Sequence, residues 1–277
     1  MKHQPRSPVF FRKVNVMKIF ETHTHYEDRA FDADRDEMIK KGREAGVDCF
    51  VNVGSDLETS RKSIEIARKY GVYAAVGVHP ENASDFDENV LAEIEKLAKN
   101  PEVIAIGEIG LDYHWEDECP REKQKPAFTS QLSLAAKLDK AIIIHSRDAA
   151  EDTFEILKKF AKKMSEEGKT LRLVMHCYGY SPELAKEYVK LGAYIGVGGV
   201  LTFKNAKKLR ESVLVVPRDR VVLETDSPYM SPEPERGTRN DPSKLRYVAE
   251  KLSELWDCTA EEAAEICYQN SLRLFGL

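Results

Sequence analysis

The chain has 277 residues, 42% of them hydrophobic, with 12 prolines and 15 glycines, a globular composition that excludes a fibrous or wholly disordered protein. Its formal charge of −5 argues against a protein that coats duplex DNA by bulk electrostatics, although net charge is silent about a local basic patch. Five scattered cysteines (Cys49, Cys119, Cys177, Cys258 and Cys267) form no C-x-x-C pair, which excludes a zinc ribbon, disfavours a disulfide framework and fits a reducing cytoplasm.

The opening "MKHQPRSPVFFRKVNVM" is basic, carries two prolines and lacks an apolar core or small-residue cleavage site, so it does not read as a signal peptide. Residues 1–16 read as an extension, disordered or left by a misassigned start, and 17–277 as a single domain. No apolar run reaches the roughly 18 residues of a membrane span. From Lys18 onward, short apolar runs recur: "KIFETH" (18–23), "VDCFVNVG" (47–54), "VYAAVGVHP" (72–80) and "VIAIGEIG" (103–110). "AIIIHS" (141–146), "LRLVMHC" (171–177), "AYIGVGG" (193–199) and "VVLETDSP" (221–228) complete the set. They are near-continuous rather than alternating, as strands buried on both faces of a parallel sheet must be.

Amphipathic helical segments lie between these runs, several ending on a glycine (Gly46, Gly71, Gly192) suited to a helix C-terminus. Eight strand–helix units predict an α/β fold, a (β/α)₈ TIM barrel, with "TAEEAAEICYQNSLRLFGL" as an additional C-terminal helix. A doubly wound sheet usually carries a glycine-rich phosphate loop after its first strand, where this chain has "THTHYED".

Barrel enzymes place their sites at the C-terminal ends of the strands. There this sequence puts His23 and His25, His79, Glu108, His145, His176 and Asp226. His23 and His25 share a strand face by its period of two. Glu108 follows the apolar "VIAI", where an isolated carboxylate is costly unless paired or bound to metal. A lone histidine at a strand end is more often a hydrogen-bonded core residue than a ligand. Six of these seven, the histidines His23, His25, His145 and His176 with Glu108 and Asp226, however, suit two cations sharing a carboxylate better than one tetrahedral zinc. His79 and Arg147 are candidate substrate contacts, the arginine as a bidentate anion grip. Asp112 reads as a loop acid, and Cys177, Tyr178 and Tyr229 as packing.

The ordered motifs "ETHTH", "VGVHP", "IGEIGLDY", "REKQKPAFTSQLSLA", "IIIHSRDA", "HCYGY", "LETDSPY" and "NSLRLF" closely resemble TatD-type metal-dependent deoxyribonucleases, in the amidohydrolase-like group, from about residue 18 to the end. One departure is Glu21, where that family commonly has Asp; the position lies outside the ligand set. The resemblance implies that His23, His25, Glu108 and Asp226 surround one metal. It further implies that Glu108, His145 and His176 surround a second, with Glu108 bridging. The implied activity is hydrolysis of DNA phosphodiester bonds, often as a 3′–5′ exonuclease on single-stranded ends, with magnesium or manganese.

Asp226 is the candidate general base, and Glu108 the second catalytic carboxylate. Histidine-rich ligation also suits zinc or a similar transition ion. The same ligands on the same fold could hydrolyse an amide, a lactone, another small ester or an aminoacyl ester on transfer RNA. A non-catalytic, metal-bound binding module is the reading from outside enzymology; the intact Asp226 counts against it. No helix face offers an apolar stripe for a partner, so a cytoplasmic monomer without membrane attachment is expected.

Overall fold

The apolar runs resolve into eight parallel strands in the computed structural model, which describes residues 17–277. They are β1 (Ile19–Thr24), β2 (Val47–Val53), β3 (Tyr73–Val76), β4 (Val103–Asp112), β5 (Ala141–Arg147), β6 (Leu173–Met175), β7 (Tyr194–Val197) and β8 (Val221–Leu223). Each strand pairs with its neighbour in sequence. Between them run α1 (Arg35–Glu44), α2 (Leu57–Tyr70), α3 (Glu88–Leu97), α4 (Arg121–Leu138), α5 (Ala150–Glu166), α6 (Pro182–Lys190) and α7 (Lys207–Val215). The eighth unit ends in α8 (Leu245–Trp256), and α9 (Ala260–Phe275) follows it. This is a TIM barrel with an added C-terminal helix. The stretch before Met17 lies outside the described residues.

Local chemistry sets the helix boundaries. Asp56 accepts a hydrogen bond from the Thr59 N–H at 2.7 Å while the Thr59 hydroxyl accepts from the Asp56 N–H, a capping box that starts α2. Gly46, Gly71 and Gly192 all adopt positive φ at the ends of α1, α2 and α6. Gly110 has φ +150°, and a Cβ there would lie 1.9 Å from the His145 carbonyl oxygen. Glycine therefore allows β4 to pair with β5 at the position where His145 projects.

One apolar cluster fills the shell between strands and helices. A second takes residues such as Val51, Val53, Ala141 and Ile143 from the strands, with Tyr268, Leu274 and Phe275 from α9. Phe20 stacks on Phe275 at 5.6 Å between centroids. Asn270 donates to the carbonyls of Arg218 (2.8 Å) and Val221 (2.7 Å), pinning α9 to the N-terminal end of β8.

The seam between β8 and β1 is polar. The Thr24 and Ser227 hydroxyls lie 2.6 Å apart, the His25 N–H donates to the Ser227 carbonyl, and the Asp226 N–H donates to the His23 carbonyl, both at 2.9 Å. Closing the barrel thus sets His23, His25 and Asp226 side by side at its mouth. Strands β3, β6 and β8 are shorter than the apolar runs, so His79, His176 and Asp226 sit in the loops just beyond them. Cys177 and Asp226 take φ of +45° and +57°, which turns the chain out of the ladder, and Pro80 has no N–H to continue one.

Candidate metal centre

His23 and His25 bring their Nε2 atoms within 3.0 Å of each other, in agreement with their shared face. His25 Nδ1 lies 2.8 Å from the Val53 carbonyl oxygen, which only accepts, so Nδ1 carries the proton. Nε2 is therefore the nitrogen that offers a lone pair to a cation once its own proton is displaced. Burial opposes charge on His25, but Glu27 and Asp226 outweigh it and raise its pKa well above the ordinary value.

Glu108 is 4% exposed at the centre of the group. Its Oε2 is 3.4 Å from His23 Nε2, while its Oε1 is 2.9 Å from His145 Nδ1 and 3.7 Å from His176 Nε2. The carboxylate therefore reaches to both sides of the site. Burial would raise its pKa, yet the neighbouring His176 and His23 hold it well below the usual range. Asp226 Oδ1 stands 3.4 Å from His25 Nε2 and 3.6 Å from His176 Nε2.

Two further carboxylates stand behind the histidines. Asp112 is buried at the end of β4, and its Oδ2 lies 2.9 Å from His145 Nε2. Its Oδ1 accepts the N–H groups of His114 (2.8 Å) and Trp115 (3.3 Å). The loop-acid reading of Asp112 is thus corrected: the strand continues two residues past the apolar run and carries the side chain inside. Glu224 Oε1 lies 3.2 Å from His176 Nδ1, without hydrogen-bond alignment, and accepts the Cys177 N–H. Burial opposes charge on both rings. Asp112 and Glu108 nevertheless raise His145 to about 9, and Glu224, Glu108 and Asp226 raise His176 to about 10.

The side chains fall into three groups whose ligand atoms lie within 4.8 Å of one another. These are His23, His25 and Glu108; His23, His176 and Asp226; and His79, Glu108 and His145. The division differs from the one the resemblance implies, because His176 stacks on His23 at 3.5 Å between ring centroids and stands beside Asp226. His79 joins Glu108 and His145 instead. Its Nδ1 accepts the Glu81 N–H at 3.3 Å, so a neutral His79 carries its proton on Nε2 and points a donor, not a lone pair, at the site. Burial and the neighbouring His145 lower its pKa to about 3.

This donor set suits divalent cations. Imidazole nitrogens and carboxylate oxygens converge, the outward nitrogens of His25 and His145 are held by Val53 and Asp112, and His23 Nδ1 is buried without a hydrogen-bond partner among the described residues. The residues face a cavity of about 790 Å³. Arg147 is the one Lys or Arg among its lining residues and has no carboxylate within ion-pair distance among the described residues; Asp148 turns to His114 at 3.3 Å instead. Cys177 also lines the cavity, because its positive φ cancels the strand alternation that predicted an outward packing position. Tyr178 is packing, 3% exposed, whereas Tyr229 is 54% exposed at the mouth.

Known proteins resemble this chain in sequence and in fold. A sequence model described as TatD related DNase matches residues 20–276. The chain belongs to the TatD-related DNase family. Among its relatives, an uncharacterized metal-dependent hydrolase of Bacillus subtilis, YabD, is 43% identical, covering 94% of this chain and 99% of its own. A 3′-5′ ssDNA/RNA exonuclease TatD of Cronobacter turicensis is 36% identical over 88% of this chain and 93% of its own. The crystal structure of the TatD homologue YjjV from Escherichia coli superposes with a TM-score of 0.86 at 29% identity, covering 95% of this chain and 99% of that one. Glu224 and the two buried glutamines of α4 escaped the sequence reading, and Asp112 was read there without its contact to His145. Gln124 brackets the Asp112 backbone and Gln131 the Val78 backbone, each bonding both N–H and C=O. The available signal was the short polar spacing from a ligand: Glu224 lies two before Asp226 and Asp112 four after Glu108.

Proposed function

We propose that this metal-dependent hydrolase of the TatD-related family cleaves phosphodiester bonds in single-stranded DNA from the 3′ end. His23, His25, Glu108, His145, His176 and Asp226 would hold two divalent ions, magnesium or manganese for activity, with zinc or a similar ion also accommodated. Such ions would polarise a phosphoryl oxygen and acidify a water molecule. The observation that carries the reading is the pairing of this ligand set with two anion-directed donors: the unpaired Arg147 guanidinium and the neutral His79 Nε2–H. A substrate with an anionic phosphoryl oxygen satisfies both. The names of the Cronobacter turicensis and Erwinia tasmaniensis relatives, each a 3′-5′ ssDNA/RNA exonuclease, support the same substrate class.

In this scheme Asp226 takes the proton of the attacking water. Burial opposes its ionisation, but His176, His25 and His23 keep it ionised and able to accept. Arg147 and His79 orient the phosphate, and Glu108 holds both halves of the site at one spacing. The test is metal-stripped protein with an end-labelled single-stranded oligonucleotide, to which magnesium, manganese and zinc are returned separately. Metal-dependent laddering from the 3′ end, abolished by Asp226→Asn and His145→Ala, is the expected result. Metal uptake without cleavage would sink the nuclease and favour a small ester or amide substrate.

A further inference from the structure

The loop that leaves β4 carries an indole beside the mouth of the site. Trp115 is 44% exposed, one of five large apolar side chains left so open among the described residues; another is Tyr229, which lines the cavity. Scattered exposed apolar residues need no explanation, but this one is held in place. Asp112 Oδ1 accepts the backbone N–H of Trp115, which anchors the chain at that residue, and the Oδ2 of the same carboxylate holds His145. The His114 ring packs edge-on to the indole, with centroids 4.8 Å apart and planes at 88°. The Arg147 guanidinium lies over the indole ring, 5.9 Å from its centroid, and Arg147 lines the cavity. Arg147 is two residues after His145 on β5, so both leave the same strand face.

We propose that Trp115 is a stacking platform for one base of a single-stranded DNA substrate, the adjoining phosphate being held by Arg147. The inference rests on the nuclease reading and adds to it a base subsite outside the metal-binding residues. Base–aromatic stacking suits a sequence-tolerant enzyme, because every base presents a π-face and no edge needs reading. The indole also explains why Arg147 stays unpaired. The ring holds the guanidinium by cation–π attraction while Asp148 is drawn off to His114, so the charge is kept for the substrate. The rim otherwise bears Asp28, Glu81 and Asp148, which repel phosphates, so stacking supplies attraction where charge does not.

Fluorescence tests this directly. The chain has two tryptophans, and the other, Trp256, is 2% exposed with its indole N–H bonded to the Val213 carbonyl. Trp115 is therefore the one that reports contact with a ligand. Manganese-loaded protein is titrated with a short phosphorothioate-linked single-stranded oligodeoxynucleotide, and with the same oligonucleotide lacking its bases. Quenching by the first and not the second is expected. Trp115→Ala should weaken binding and raise KM for a cleavable strand by about 5- to 100-fold, with Trp115→Phe retaining most of the affinity. Normal cleavage with no quenching and an unchanged KM in Trp115→Ala overturns the platform and leaves the nuclease standing. Equal quenching by the base-free strand assigns the contact to the backbone and also overturns it. Absence of both cleavage and binding in the wild type sinks the nuclease reading and the subsite together.

Discussion

Replacing Asp112 by Asn changes almost no volume and yet should cost more metal affinity than removing the side chain. In the native chain Asp112 Oδ1 accepts two backbone N–H groups and Oδ2 accepts the His145 Nε2–H, so the proton a cation must displace is the one Nδ1 donates to Glu108 Oε1, and its loss bares the Nδ1 lone pair. An Asn keeps its oxygen on the backbone donors and turns its amide N–H₂ toward His145. The ring must then accept at Nε2 and carry its proton on Nδ1, where a cation would bind. Loss of such a supporting carboxylate typically costs 10- to 100-fold in metal affinity, about 1.4 to 2.7 kcal/mol. Breaking the new amide bond before ligation adds about 1 kcal/mol, which puts Asp112→Asn at the upper end and Asp112→Ala lower. Stability should rank the other way. Asn preserves the backbone contacts, whereas Ala strands them at a cost of about 1–3 kcal/mol. Competition of zinc or manganese between metal-stripped protein and a chelating dye measures the affinities, and thermal unfolding the stabilities. An Asp112→Asn protein that binds metal within about two-fold of wild type would refute the tautomer argument.

Metal uptake should release protons. With His145 raised to about 9 and His176 to about 10, both rings are charged at neutral pH in the metal-free protein, so affinity climbs as pH rises from 7 toward 9. Calorimetry in buffers of different ionisation enthalpy reads the release, and identical apparent enthalpies would contradict it. The same raised values stabilise the metal-free fold below about pH 6.5, and that contribution fades as pH rises through 9 and 10; melting temperature against pH should show the decline. Gly196→Ala would put a Cβ 2.5 Å from Glu224 Oε2, pushing that carboxylate off His176. A loss of about 1–3 kcal/mol in unfolding free energy together with weaker metal uptake is expected, and native values of both would show that Glu224 does not position the ring. Asn270→Leu orphans two carbonyls at the base of β8 and should cost about 1–3 kcal/mol in denaturant unfolding with KM unchanged. A shift in KM would mean that α9 influences the mouth of the barrel.

How much of this was legible beforehand follows from how local each cause is. The strand order could be read because near-continuous apolar runs alternate with helical segments, and short crossovers leave a parallel barrel as the consistent solution. The convergence of His23 and His25 was equally readable, since a period of two is a property of one strand. Glu108 stood out because a carboxylate after "VIAI" is costly unless it is paired or bound to metal. The strand ends were not readable: hydropathy carries on through "MHC" and "LETD", whereas Cys177 and Asp226 leave the ladder by adopting positive φ. Proton placement was beyond reach as well. Which nitrogen of His25, His79 or His145 carries hydrogen depends on Val53, Glu81 and Asp112, and two of these three lie about 30 residues away along the chain. The sequence by itself therefore determined the barrel and the candidate ligands, because periodicity and burial cost act within one segment. The tertiary structure alone decided that Asp112 and Glu224 stand behind His145 and His176 and that Trp115 flanks Arg147, because hydrogen bonds and ring contacts are made between segments that only folding brings together.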